Sequence, residues 1–234
     1  MMRYLLGLLA VLGMSLSVGA SSAAPDWSTT VGKTVSGNYV IGNPNAKVKL
    51  VEYVSYTCPH CGEFLKESGP VLRGQMVRSG STRIEVRGAI REKLDQTAQM
   101  LARCSGPKGF AGTTDAMFAQ QEAWVNRGYG YLQFNESRIK LYPEASKMRA
   151  LADASGLADL VKARGMTDAA INACFANQAE LATLAVNSDH AWAAMNAATA
   201  PEPGGTPTFE VNGKLYAQID WKGLEKILRA AGAK

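Results

Sequence analysis

The stretch Val48-Lys49-Leu50-Val51-Glu52-Tyr53-Val54-Ser55-Tyr56-Thr57-Cys58-Pro59-His60-Cys61 decides the fold. Its first eight residues, 48–55, are rich in β-branched and aromatic side chains, which predicts a buried strand. From Cys61 to Arg78 the apolar residues suit one face of a helix. We expect Gly69-Pro70 to kink this helix, because proline removes a backbone hydrogen bond and its ring clashes with the preceding turn. The sequence therefore predicts a Cys-x-x-Cys pair where a strand passes into a helix.

The place of Cys58 at the start of the predicted helix makes its sulfur reactive. Free backbone N–H groups and the positive end of the helix dipole favour a thiolate, so the pKa of Cys58 should fall. Pro59 fits the first helical turn, where its missing N–H does no harm. His60 could add a hydrogen bond or a positive charge to the same anion. Because a stabilised thiolate is a good leaving group, the disulfide should be oxidising, with Cys61 as the less exposed resolving partner.

Glu52 is a candidate acid for the same site. It lies six residues before Cys58, an even offset on a strand, so the two side chains should share a face. An apolar setting would raise the pKa of this carboxyl, which could then relay a proton to or from Cys61.

A distant segment, residues 204–213, reads Gly-Gly-Thr-Pro-Thr-Phe-Glu-Val-Asn-Gly. It predicts a proline just ahead of a strand that ends in an Asn-Gly hairpin turn. A cis bond between Thr206 and Pro207 would expose the backbone carbonyl and N–H of Thr206. These groups could pair with an extended substrate chain beside the disulfide.

Together these motifs resemble the thioredoxin superfamily, and Cys-Pro-His-Cys with a long helical insertion is similar to periplasmic thiol:disulfide oxidoreductases of the DsbA type. The resemblance implies an α/β thioredoxin fold with a helical insertion, in which Cys58 is the nucleophilic and Cys61 the resolving cysteine. It also implies that Glu52 is the buried acid and Pro207 the cis-proline facing the disulfide. The match departs at Thr206, where the best-known DsbA enzymes have valine, and threonine is common in BdbD-like oxidases and DsbC-type isomerases. The exact redox role therefore stays open between oxidase and reductase or isomerase.

Residues 1–24 are predicted to be an export signal that is removed. Arg3 supplies a short positive start, the stretch from Leu5 to Val18 is apolar but short for a bilayer span, and Ser22-Ala23-Ala24 or Val18-Gly19-Ala20 offers a cleavage site. An uncleaved membrane anchor is the alternative. The mature chain of about 210 residues is expected in an oxidising compartment, the periplasm, where disulfides persist.

The pattern divides the mature chain into two kinds of segment. Residues 25–91 and 200–234 carry the strand signals and are predicted to form a thioredoxin-like domain. Residues 92–199 are alanine-rich without strand signals, which predicts an inserted helical domain. Candidate helix starts in the insertion are Asp95, Thr113 or Thr114, Asn135, Ser155 and Thr167.

Cys104 and Cys174 both fall in the predicted insertion, each near the end of a predicted helix. In an oxidising compartment the favoured interpretation is a structural disulfide between two helices, and two buried free thiols are the alternative.

A Cys-x-x-Cys pair can also be half of a zinc site, but closing it needs two more ligands. The histidine outside the motif, His190, lies in an alanine-rich stretch without a neighbouring ligand pair and is interpreted as a packing or surface residue. No metal or bound cofactor is expected, because the two sulfurs carry the electrons.

The formal charge of +5 is spread along the chain, without the basic clusters and interleaved aromatic residues of a nucleic-acid binder. We expect an aromatic cluster to be mostly core, with one or two members lining a peptide-binding face. Its members are Trp124, Tyr129, Tyr131, Phe134 and Tyr142.

The expected function is dithiol–disulfide exchange by a monomer, which donates its Cys58–Cys61 disulfide to reduced or unfolded exported proteins. The resemblance implies reoxidation by a quinone-linked membrane protein of the DsbB type. A reductase or isomerase is the enzymatic alternative. DsbC-type isomerases carry an N-terminal dimerisation domain, whereas only some 20 residues of the mature chain precede the first strand here, which counts against an isomerase. A redox-inactive peptide-binding chaperone is the alternative from another class.

Overall fold

The computed structural model describes residues 25–234, so the predicted export signal at residues 1–24 lies outside the described residues. Six strands form one mixed sheet in the order β1-β2-β4-β3-β5-β6. The strands are β1 (Val31–Lys33), β2 (Tyr39–Gly42), β3 (Val48–Val54), β4 (Thr82–Gly88), β5 (Thr208–Val211) and β6 (Lys214–Tyr216). The α-helices of these residues are α1 (Pro59–Val71), α2 (Lys93–Cys104), α3 (Gly106–Ala119), α4 (Gln121–Ile139), α5 (Glu144–Ser155), α6 (Leu157–Lys162), α7 (Asp168–Ala176), α8 (Gln178–Thr199) and α9 (Trp221–Ala231).

The pairing of β3 places the site. It runs parallel to β4, as a connecting helix requires, and antiparallel to β5. Glu52 therefore lies between Val86 of β4 and Phe209 of β5. Because Phe209 follows Pro207 by two residues, this register brings the proline loop to the end of β3 where the cysteines begin.

Helices pack on both faces of the sheet. On one face, Phe64 of α1 contacts Phe209 with ring centroids 4.5 Å apart and meets Trp221 of α9 edge-on at 6.0 Å. On the other face, Val51 and Tyr53 of β3 pack in a smaller apolar cluster that also contains residues of α8. The alternation of side chains along β3 thus serves two cores, which explains why almost the whole strand is buried.

The predicted kink in the first helix takes the form of a widened turn. Helix α1 continues through Pro70 to Val71 and passes into a π-helical segment over Leu72–Val77. The change in hydrogen-bonding register thus begins two residues after the proline, which cannot donate a backbone hydrogen bond.

Helices α2 to α8 lie between β4 and β5 in the chain. Thr167 is the N-cap of α7, where its side chain accepts from the Ala170 N–H at 3.1 Å. Ser155 lies two residues before α6, and its hydroxyl accepts from the N–H of Leu157, the first residue of that helix, at 3.4 Å. The other predicted helix starts differ from the structure. Asp95 lies in the first turn of α2, Thr113 and Thr114 lie inside α3, and Asn135 lies inside α4. Asp95 and Thr114 instead bond to side chains and backbone outside their own helices, so tertiary contacts outweigh their local preference.

Cys104, the last residue of α2, is joined to Cys174 of α7 by a disulfide with an S–S distance of 2.05 Å. The bond links residues 70 positions apart in sequence. The favoured interpretation of these two cysteines is thus present in the structure.

The expectation of a mostly buried aromatic cluster is wrong. Trp124 is buried and donates its indole N–H to the Met117 carbonyl at 2.8 Å, but Phe134 is 82 % exposed and Tyr129 is 42 % exposed. The reason is that α4 buries only a narrow strip along its length, so Tyr129 and Phe134 lie on its outer side. Within residues 25–234, we find no helix with the length and apolar character needed to cross a membrane.

Candidate active site

The candidate site lies where β3 ends and α1 begins. Cys58 is the N-cap of α1, with extended backbone angles, and Pro59 is the first helical residue. The structure has Cys58 and Cys61 as two free thiols, and both are buried, Cys58 at 4 % and Cys61 at 0 % exposure. A sulfur at a helix N-terminus has unbonded backbone N–H groups directed at it, which favours the anion.

The proline loop lies against this pair. The Thr206–Pro207 peptide bond is cis, as predicted, and the Cys58 thiol donates to the Thr206 carbonyl with an Sγ–O distance of 3.1 Å. Pairing of β5 with β3 places this loop beside Cys58, although 148 residues separate the two in sequence. A second cis bond, Ala200–Pro201, lies between α8 and β5 and was not predicted.

The two thiols have opposite acid–base character. Hydrogen bonds from the Cys61 thiol, the Thr206 side chain and the backbone N–H groups of Cys61 and His60 lower the pKa of Cys58 to about 5, against the effect of burial. Burial raises the pKa of Cys61 well above the ordinary thiol value, and its hydrogen bond to Cys58 adds to the rise. At neutral pH the reduced pair is therefore a thiolate at Cys58 next to a protonated thiol at Cys61.

The contribution of His60 differs from the expectation. Its imidazole points to solvent, and Nδ1 lies 3.1 Å from the Glu63 carboxylate, with the side chains 74 % and 69 % exposed. His60 is in the first turn of α1, where side chains project outward and backbone N–H groups face the N-cap. It therefore stabilises the Cys58 anion through its backbone N–H.

Glu52 lies in the buried interior of the sheet, at 3 % exposure. Burial raises the pKa of its carboxyl to about 7, while the positive charge of Arg73 lowers it and the negative charge of Asp115 raises it. A carboxyl with this pKa exists in both protonation states near neutral pH. It can therefore accept or release a proton in the pH range in which the thiols react.

A cavity of about 1100 Å³ extends from Glu52 to the surface, bounded by α1 on one side and by α3 and α4 on the other. Arg73, in the π-helical segment, and Asp115 of α3 form an ion pair across it at 3.5 Å. Pro59 and Gly62 of α1 line the same space. Glu52 thus borders an open cavity that also reaches the first turn of the cysteine helix.

Asp95, which the sequence indicated only as a helix start, is also a residue of the site. Its carboxylate is fully buried and accepts from the Ser55 hydroxyl at 2.7 Å and the Tyr56 N–H at 2.8 Å. It also accepts from the Arg91 N–H and the Gln99 side chain. Burial outweighs these four donors and raises the pKa of Asp95 to about 6.

The remaining candidates lie outside this cluster. His190 is exposed on α8, next to Trp192, whose indole N–H donates to the Ile90 carbonyl at 2.9 Å. The disulfide of Cys104 and Cys174 belongs to the helical insertion. Over residues 25–234, the structure brings together no group of three or more His, Cys, Asp or Glu side chains that could hold a metal ion.

The structure has a thiol pair at the start of a helix, a cis-proline loop facing that pair, and a run of helices inserted between β4 and β5. These features define a thioredoxin-like fold with a helical insertion. The chain belongs to the family described as "Thioredoxin", whose model matches residues 34–230.

The chain is similar to a protein-disulfide isomerase from Novosphingobium aromaticivorans, with 34% identity and a TM-score of 0.70, covering 82% of this chain and 96% of that one. It matches the fold of alpha-DsbA1 from Wolbachia pipientis at 17% identity and a TM-score of 0.61, covering 85% of this chain and 92% of that one. A protein of Rickettsia conorii that carries the provisional name protein-disulfide oxidoreductase is 29% identical over 77% of this chain. The chain spans 55% of the length of that relative and 62% of the similarly named protein of Rickettsia typhi.

Proposed function

We propose that the protein oxidises pairs of thiols in exported polypeptides by transferring the Cys58–Cys61 disulfide to them. The observation that carries the proposal is the asymmetry of the two sulfurs, a stabilised thiolate at Cys58 beside a buried thiol at Cys61. Stabilising the reduced form of such a pair makes its disulfide a stronger oxidant. This asymmetry supports dithiol–disulfide exchange by a donor of disulfides.

The proposed reaction has two exchange steps. A substrate thiolate attacks Sγ of Cys58, the Cys58–Cys61 bond breaks, and Cys61 leaves as a thiolate that takes up a proton. A second substrate thiolate then attacks the substrate sulfur of the mixed disulfide, and Cys58 leaves as a thiolate. The substrate dithiol has lost two electrons and formed a disulfide, and the protein has gained both electrons as a dithiol.

Two residues assist these steps. Glu52, partly protonated at neutral pH, supplies the proton that the departing Cys61 requires, because its pKa of about 7 lies below that of this thiol. The backbone of Thr206 offers a carbonyl and an N–H beside Cys58, where an extended substrate chain can pair as an added strand.

We place the reaction in the periplasm and assign reoxidation to a membrane protein of the DsbB type. The predicted export signal at residues 1–24 and the Cys104–Cys174 disulfide support an oxidising compartment. The substrates under this proposal are reduced or unfolded exported proteins, and the protein acts as a monomer without a bound cofactor.

The reduction potential of the Cys58–Cys61 pair tests the proposal. It is measured by equilibrating the purified protein with glutathione buffers and counting protein thiols by alkylation. A value near about −120 mV supports a disulfide donor, and a value near about −270 mV contradicts it and indicates a reductase. A Cys58→Ser variant that kept full activity on a reduced, unfolded substrate protein would instead indicate a redox-inactive chaperone.

Isomerisation is a second candidate, because the Novosphingobium relative is named a protein-disulfide isomerase and Thr206 fits that alternative. The two activities separate on a substrate with scrambled disulfides. An isomerase restores the native pairing when supplied as the dithiol, whereas a disulfide donor is active on the fully reduced substrate when supplied as the disulfide.

A further inference from the structure

The segment that leads into Cys58 is held by side chains of the helical insertion. Asp95 of α2 accepts from the N–H of Tyr56, and Thr114 of α3 shares a hydrogen bond of 2.8 Å with the Tyr56 hydroxyl. Gln121, the first residue of α4, donates from Nε2 to the carbonyls of Tyr56 and Cys58, each at 2.8 Å. Of these three side chains, Gln121 reaches the nucleophilic cysteine itself.

The first turn of α1 is shaped to receive this amide. A Cβ atom placed on Gly62 would lie 2.4 Å from Oε1 of Gln121, well inside contact distance. Gln121 is buried, at 8 % exposure, and its amide lies against α1 at Gly62, the residue that follows Cys61. The contact therefore depends on glycine at position 62.

The carbonyl that Gln121 binds closes the first turn of the cysteine helix. The Cys58 carbonyl also accepts from the N–H of Cys61 at 3.1 Å and from the N–H of Gly62 at 3.4 Å. The same turn supplies the His60 and Cys61 N–H groups that stabilise the Cys58 anion. A shift of this carbonyl would move those donors relative to the sulfur, and loss of the amide would leave more negative charge beside it.

We propose that Gln121 is a positioning residue for thiol–disulfide exchange, holding the first turn of α1 so that its N–H groups stay directed at the Cys58 sulfur. The helical insertion thereby sets the chemistry of a cysteine that belongs to the thioredoxin-like part of the chain. This inference rests on the proposed function and assigns part of its oxidising strength to one side chain.

The test replaces Gln121 with methionine in the full chain, because methionine has a similar length and no hydrogen-bond donor. The Gln121→Met variant should have a higher Cys58 pKa than the wild type, measured from the ultraviolet absorbance of the thiolate. Its equilibrium with glutathione should shift toward the protein disulfide by roughly tenfold for each unit by which the Cys58 pKa rises, because only the reduced protein contains the thiolate. The matched control is Gln120→Met at the neighbouring exposed glutamine, where neither quantity should change.

A second variant reaches the same contact from the other side. The added methyl group of Gly62→Ala would meet the flexible end of the Gln121 side chain and should displace its amide. The Cys58 pKa should then rise, and the equilibrium with glutathione should shift toward the protein disulfide, as in Gln121→Met. In a Gln121→Ala background, Gly62→Ala should add little, so the two effects are non-additive. Full additivity in this cycle would contradict the shared contact.

A structural role without positioning gives a different result. If Gln121→Met lowers the free energy of unfolding but leaves the Cys58 pKa and the glutathione equilibrium at wild-type values, the inference is overturned. The Thr114→Val variant is the reference for a purely structural effect, because it removes a hydrogen bond between the insertion and Tyr56 and leaves the contacts of Cys58 in place. A wild-type reduction potential typical of a reductant would refute the proposed function. The role of Gln121 is judged separately, from the difference in Cys58 pKa and in glutathione equilibrium between Gln121→Met and Gln120→Met.

Discussion

Two cysteines separated by two residues differ in acid–base character because one lies at the helix end and the other inside the first turn. Cys58 receives hydrogen bonds from a thiol, a side chain and backbone N–H groups, which offset its burial. Cys61 is fully buried, and its contact with Cys58 favours the proton on its own sulfur. The backbone N–H donors are placed by the geometry of the helix start, so any Cys-Pro-x-Cys sequence at this position has them.

The Glu52 carboxyl makes stability depend on pH. Because its folded pKa is raised to about 7 from an ordinary value of 4.5, the folded state holds this proton more tightly than the unfolded state. Its contribution to stability is therefore present at low pH and lost as the pH rises from about 4.5 to about 7.

We predict that Glu52→Gln removes this loss. The variant should match the wild type in free energy of unfolding near the ordinary carboxyl pKa and exceed it above neutrality by on the order of 3 kcal/mol. Urea denaturation across this pH range measures the difference. The same variant should slow thiol exchange, because it cannot give up a proton. Equal pH profiles for the two proteins would mean that folding does not raise the pKa of Glu52.

The Asp95 carboxylate gathers four donors, of which two belong to the segment just before the cysteines. We predict that Asp95→Ala lowers the free energy of unfolding by on the order of 2–5 kcal/mol, because buried donors lose their acceptor. Chemical denaturation of the reduced and oxidised forms measures the change. Asp153→Ala, which removes an exposed partner of Arg149, serves as the control and should cost about 1 kcal/mol or less.

Among the elements, the two helices that pack beside the site begin with clear sequence signals. Helix α1 starts at Pro59 after its N-cap cysteine, and α9 starts after Asp220, whose side chain accepts from the Gly223 N–H at 2.8 Å. Trp221 at the start of α9 meets Phe64 of α1, so the cap of one helix helps to place the other. Most helices of the insertion begin without such a side-chain cap, which is why their starts were predicted poorly.

We predict that Asp220→Ala destabilises the protein by about 1 kcal/mol through loss of this cap. Thermal or urea unfolding measures the effect. Lys222→Ala, an exposed change in the same turn, should stay within about 0.5 kcal/mol of the wild type. A cost for Asp220→Ala no greater than that of the control would show that packing of Trp221 alone fixes the start of α9.

On the scale of the whole molecule, the insertion is tied together by the Cys104–Cys174 disulfide and to the active site by hydrogen bonds. The disulfide closes a loop with a sequence separation of 70 residues, so it restricts the unfolded chain strongly. It joins α2, which contains Asp95, to α7, and so stabilises the helix that holds the segment before the cysteines.

We predict that the double variant Cys104→Ser/Cys174→Ser loses on the order of 4 kcal/mol of stability, as the chain-entropy estimate for such a loop gives. Urea unfolding of the otherwise unchanged protein measures the loss. The reduction potential of the Cys58–Cys61 pair should stay at the wild-type value, since neither serine contacts the catalytic sulfurs. A stability loss below about 1 kcal/mol would indicate that the unfolded chain of the variant stays compact.

The sheet that brings the site together was implied by the resemblance to the thioredoxin superfamily. The sequence by itself indicated the reactive pair, the acid six residues before it, and the strand and turn that follow Pro207. Each of these follows from local rules: a strand period of two, a proline at a helix start, and an Asn-Gly turn after a short strand. The tertiary structure alone decided that Asp95, Thr114 and Gln121, at sequence distances of 39 to 65 residues from their partners, hold the segment before Cys58. It also decided that the His60 ring turns to solvent and that Phe134 lies exposed. The physical reason is that these outcomes depend on how the helices of the insertion pack on the sheet, and a side chain's own sequence neighbours do not encode which distant backbone it will meet.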